Sequence, residues 1–280
     1  LKSFVAAALD SLCMWRVLVP VFEDAIAFGP WPWQHVARIL LECVVVCFGL
    51  GVVFTKYGAP RVMAAFFPKW RELHLEADEK ENKRSSSSLL FIVAHNGSVA
   101  VAALLAWFLQ SPDLALRVFC FEIAYEVFDT YHLWGRIDAE TALHHIASPM
   151  CILFSTMTSV DFRVLCHLMF AIDASGFALA IGKLMLRYGT LPRVKIYRVL
   201  FWVYVPTRIY APFLDTVLIC HNLFYMAEWP EWLRAYLWAM VMMDGLNSYF
   251  CYALMSRAYL RPAIVLPEDQ TWGRILEGAA

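Results

Sequence analysis

The side chains best suited to chemistry lie in one stretch, EIAYEVFDTYHLWGRIDAETALHHIAS, residues 122–148. Glu122, Glu126 and Asp129 sit in a strongly apolar run, a polar break at Gly135–Glu140 follows, and His144–His145 open the next apolar run. Ionisable groups at membrane depth are expensive, so they face a protein interior or a wet cavity and mark pathways or reactive sites. Histidine titrates near neutral pH and is a ready general base. Neighbouring residues on a helix point about 100° apart. The two rings are therefore not expected to grip one ligand side by side: one faces a cavity while the other fixes a neighbouring helix. Glu140 precedes His144 by four residues and shares its face. It can orient the imidazole, or serve only as a first-turn acid at a helix N-terminus; both readings stand.

The elements that must position these groups follow from composition. Of 280 residues, 61% are hydrophobic and 17% charged, and the mean hydropathy is +0.57. That exceeds the apolar share of a soluble domain, and several runs approach the roughly 20 apolar residues that cross a bilayer core. The expected fold is all-α, a polytopic membrane bundle or barrel of about seven transmembrane helices. The net charge of −1 offers no basic surface for nucleic acid. The eight cysteines lie in or beside apolar runs without a CxxC, and read as small buried hydrophobes.

Residues 1–33 are apolar but broken by Asp10, Arg16, Pro20, Glu23 and Asp24, and end in GPWPW; they read as an interfacial or poorly spanning segment. The spans are expected near 36–56, 89–109, 115–134, 141–159, 162–183, 197–221 and 231–256. Between the first two lies the charged stretch LEADEKENKRSSSS, a solvated loop. Gly182, Gly189 and Pro192 punctuate the loop after the fifth span, and Pro206 is expected to kink the sixth. Lys and Arg concentrate on alternate loops: Lys56, Arg61, Lys69, Arg71, Lys80, Lys83 and Arg84 in the first, Arg136 in the third, Lys183, Arg187, Arg193, Lys195 and Arg198 in the fifth, and Arg257, Arg261 and Arg274 in the tail. The positive-inside rule then puts these loops and the C-terminus in the cytosol, with the histidine pair near a cytosolic mouth.

Further polar residues punctuate the spans: His95 with Asn96, His132, His167, Asp173 with Ser175, Arg208, Asp215, and Asp244 with Asn247. Each alone is commonly a satisfied interhelical polar; together they imply a polar bundle interior. Arg208 needs an anionic partner, and Asp173, Glu126 and Asp129 are the candidates. Glu126, Asp129, His95 and Arg208 are the expected substrate-binding groups. No metal is expected, because of His35, His74, His95, His132, His144, His145, His167 and His221 only one pair is close in sequence.

Taken in order, LHHIAS (143–148), YEVFD (125–129), FAIDASGFAL (170–179) and the late FWVYVPTRIY segment with Arg208 and Tyr210 resemble the TLC-domain family, multi-span lipid proteins that include the ceramide synthases. The resemblance runs from the first span to about residue 215. It implies a TLC-like transmembrane domain over 34–257, a cytosolic tail over 258–280, and a helical barrel around a lipid cavity. In the synthases the histidine pair is catalytic and an acyl group moves from coenzyme A to a sphingoid amine. By that resemblance His144 or His145 activates the amine or carries the acyl group and Asp173 assists. Acyl-CoA would be a cosubstrate, with no bound cofactor. Ile172 and Gly176 stand where the synthases carry further polar residues, and no homeobox-like insertion is present, which places the chain nearer the family's smaller members. The expected setting is the endoplasmic reticulum or another internal membrane, with membrane lipids as partners, as a homo-oligomer or within a larger complex. A non-catalytic lipid-binding or sensing protein, an accessory subunit and a transporter are the alternatives.

Overall fold

The computed structural model describes residues 31–66, 86–133, 139–156, 162–188, 192–208 and 231–260. Within them the protein is an all-α helical bundle without a strand. Helix α1 spans Trp33–Val53 and passes through a π-helical turn, Phe54–Gly58, into α2, Ala59–Phe66. Then come α3 (Ser86–Phe108), α4 (Pro112–His132), α5 (Ala139–Ser155) and α6 (Phe162–Tyr188). Residues 193–208 form α7, and α8 spans Glu231–Met255 before a second π turn, Ser256–Leu260.

The chemistry of each helix end is local. Gln110 takes a left-handed φ of 52° in the short link after α3. Ser111 then caps α4 by accepting from the Leu114 N–H, Pro112 takes the first turn, where its missing donor is harmless, and Asp113 faces the helix dipole. In the first π turn Thr55 donates its hydroxyl to the Gly51 carbonyl at 2.6 Å, a side-chain competitor for a backbone bond.

Three of these helices are long and apolar enough to cross a membrane: Trp33–Phe66, Ser86–Phe108 and Phe162–Tyr188. Their outward residues are large and apolar, among them Leu41, Val45, Val53, Val101, Phe108 and Ile181. The buried set includes Glu122, Glu126, Asp129, Asp173 and Arg208. Apolar outside and charged inside is the reverse of a soluble domain, and identifies a membrane protein. Helix α4 carries Asp113, Arg117, Glu122, Glu126 and Asp129, too many charges to stand alone in lipid. Instead α1, α3, α5 and α6 pack around it.

The helix boundaries follow the expected spans closely, with three departures. The first helix does not stop near 56 but runs on through the π turn to Phe66, taking in Arg61 of the expected loop. Gly182 does not end the fifth span: α6 runs on to Tyr188, and Leu200 of α7 packs on the glycine. Pro206 lies within helical residues 193–208, and the rest of that expected span, with Asp215 and Tyr210, lies outside the described residues. The segment 1–30 and the charged loop after Phe66 also lie outside them.

Close approach depends on glycine at two further positions. A Cβ on Gly51 would strike the Phe128 ring, which holds α1 against α4, and one on Gly176 would strike the Asn96 amide, at the α3–α6 contact. Small residues at such crossings let membrane helices come together. Gly176 therefore leaves room for Asn96.

Candidate functional site

Glu122, Glu126 and Asp129 follow at i, i+4 and i+7 along α4, so they form one stripe on one face. Each is at most 5% exposed. Helices α3, α5 and α6 each bring a polar side chain to this stripe.

At one end stand the histidines of α5. His144 Nε2 lies 3.3 Å from Glu126 Oε1, and His145 Nε2 lies 3.3 Å from Glu126 Oε2 and 3.2 Å from Asp129 Oδ2. The expectation that adjacent rings cannot meet one partner is thus corrected. The ring centroids are 5.8 Å apart and the planes tilted by 56°, and the bridging carboxylate offers a separate oxygen to each. The partner role weighed for Glu140 belongs to Glu126; the Glu140 side chain lies outside the described residues.

The two rings differ. The His144 side chain is 27% exposed, that of His145 4%. Thr130 donates its hydroxyl to the Glu126 carbonyl at 2.7 Å, so its oxygen accepts from His145 Nδ1–H at 2.8 Å. Nε2 of the same ring faces two carboxylates. Both ring nitrogens therefore call for protons, and the geometry suits an imidazolium. His145 is fixed and His144 has freedom to act. Pro149, four residues on, removes the N–H that would meet the His145 carbonyl.

Deeper along the stripe, His95 of α3 donates Nε2–H to Glu122 Oε2 at 2.6 Å and stacks on Tyr125, centroids 3.8 Å apart. Asp173 of α6 joins them: ligand atoms of His95, Glu122 and Asp173 all lie within 4.8 Å of one another. Asp173 is 1% exposed and sits in the fields of Glu122, Arg208 and Glu126. It meets this inner cluster rather than the histidine pair it was expected to assist.

Arg208 does not pair with Asp173, Glu126 or Asp129 at contact distance. It donates to Asn247 Oδ1 at 2.9 Å and to the Ile172 carbonyl at 3.5 Å, with Tyr204 under its guanidinium. The other polar residues scatter: His132 stacks on Phe128 and His167 meets Trp107 edge-on.

Beyond Glu122 the polar stripe gives way to an apolar slot among α4, α5, α6 and α8, lined by Phe119, Ile152, Met169, Met240 and Met243, with Ser148 and Asn247 beside Glu122 at its polar end. Its volume is about 40 Å³, room for a few waters; three flexible methionines can yield to something larger.

Sequence reasoning missed Thr130 and gave Glu122 no role. The i, i+4, i+7 spacing was the available signal for Glu122; nothing in the sequence pointed to Thr130. Comparison of the chain with protein-family models, with curated proteins and with solved structures gave no match.

Proposed function

We propose that this protein is a membrane lipid-metabolism protein of the TLC type that transfers an acyl group from acyl-CoA to the nitrogen of a long-chain amine. The observation that carries the reading is the Glu126 carboxylate shared between His144 and His145, one helical turn along α4 from Glu122, which lines a slot of apolar side chains. The amine nitrogen attacks the thioester carbonyl while His144 Nδ1, the ring nitrogen turned away from Glu126, takes its proton. The C–S bond then breaks, and the thiolate leaves with that proton as coenzyme A, giving an amide. Glu126 orients the His144 ring and stabilises its charged form, while His145, tied to Thr130 and Asp129, fixes Glu126. The thioester is already activated, and an apolar slot suits an alkyl chain. Seven crossings, a cytosolic C-terminus and an internal membrane such as the endoplasmic reticulum complete the reading. They rest on the seven apolar runs and the alternation of Lys and Arg among the loops.

The small volume of the slot favours one second reading, a lipid-binding or accessory protein that turns nothing over. The test is acyl-CoA consumption with long-chain amines by the purified chain in detergent. His144→Ala is expected to lower turnover at least about 100-fold, the lower end for a general base, with the fold retained. Equal turnover in the variant and the parent would remove the catalytic reading and leave the binder, whose lipid retention would survive loss of both histidines.

A further inference from the structure

At the inner end of the polar stripe His95, Glu122 and Asp173 converge from three helices, all three buried. There Asp173 Oδ2 is buried without a hydrogen-bond partner. Orphaned polar atoms at depth call for an ion or water.

We propose that His95, Glu122 and Asp173 form a binding site for a divalent first-row transition metal ion of the zinc class. One imidazole nitrogen and two carboxylate oxygens are a donor set such an ion accepts. The three ligands come from α3, α4 and α6, and the tight α3–α6 packing at Gly176 and Asn96 fixes two of them relative to each other. Tetrahedral zinc with bonds of about 2.0–2.1 Å places neighbouring ligand atoms about 3.3 Å apart. The His95–Glu122 contact at 2.6 Å has to open slightly, and the more distant atoms have to close in, which side-chain rotation supplies. Glu122 also lines the slot, so the position left open by three protein ligands can face whatever enters it. That is the arrangement of a working metal site rather than of a closed structural one. The sequence concealed it because the three ligands sit on three separate spans.

The experiment uses the full chain in detergent, stripped with a chelator, loaded with Zn²⁺ or with Co²⁺ as a spectroscopic probe, desalted, and measured for metal content and visible absorption. About one ion per chain is expected, with the intense cobalt bands of a low-coordinate site. His95→Ala and Asp173→Asn should each lower affinity by at least about tenfold, judged on samples that remain monodisperse and unfold cooperatively. Glu122→Gln gives a third arm should either misfold. His144→Ala should retain the ion, which separates this site from the histidine pair. Loading below about 0.1 ion per chain in the parent would overturn the proposal, and so would undiminished loading in the folded ligand variants. Neither readout depends on acyl transfer, so the two proposals fail independently.

Discussion

Two neighbouring histidines should carry very different shares of stability. In His145→Ala, Glu126 and Asp129 lose the ring that faces both, at 3.3 and 3.2 Å, and keep their burial. Removing one partner of a buried ion pair costs about 3–5 kcal/mol. At about 2–4 °C per kcal/mol for a chain of this order of size, the melting temperature should fall by about 10 °C. In His144→Ala one contact is lost from a side chain that is 27% exposed. Partly exposed pairs are worth about 0.2–1 kcal/mol, so the shift should be about 2 °C. Thermal unfolding of the purified chain in detergent, followed by the fluorescence of its 11 tryptophans, reads both values. A second step isolates the cause. If the cost is orphaned charge, Glu126→Gln added to His145→Ala should recover part of the loss, because the double variant buries one charge fewer. Equal shifts for the two alanine variants, or a double variant less stable than His145→Ala alone, would refute the account of the site in which one ring anchors and the other acts.

Gly51→Ala should destabilise by about 1–3 kcal/mol, because its methyl meets the Phe128 ring, although alanine is the better helix former. Gly49→Ala, where nothing lies within 4 Å, should be neutral or stabilising by up to about 1 kcal/mol; paired melting curves decide, and equal signs would count against the α1–α4 packing. Arg208→Met, Asn247→Leu and the double variant should show a coupling of about 1.5–3 kcal/mol for a hydrogen bond with a charged donor; simple additivity would mean the two side chains do not meet.

The apolar runs and their Pro, Gly and Ser punctuation placed the helices, since span length and end chemistry are local properties. Ser111–Pro112–Asp113 is a start signal legible from three residues. Gly182 misled because a glycine can end a helix or admit a neighbour, and only the position of Leu200 decides which. The site was harder to read, since its partners are chosen by packing. The 100° rule is sound for side-chain directions, but it says nothing of a partner with two acceptor atoms, and Glu126 is such a partner. Arg208 was assigned a carboxylate on grounds of charge; Asn247, on a helix late in the chain, reaches it first.

The unbroken helical rod Trp33–Phe66 has 34 residues, about 51 Å at 1.5 Å per residue, against roughly 30 Å of hydrocarbon. Helix α3, with 23 residues, measures about 35 Å and fits with modest tilt. The rod thus has about 20 Å of surplus that its neighbour lacks. A thickening bilayer can immerse more of the rod, toward the π turn, while α3 has little reserve and must straighten. Hydrophobic mismatch would then register as a change in the angle between the two.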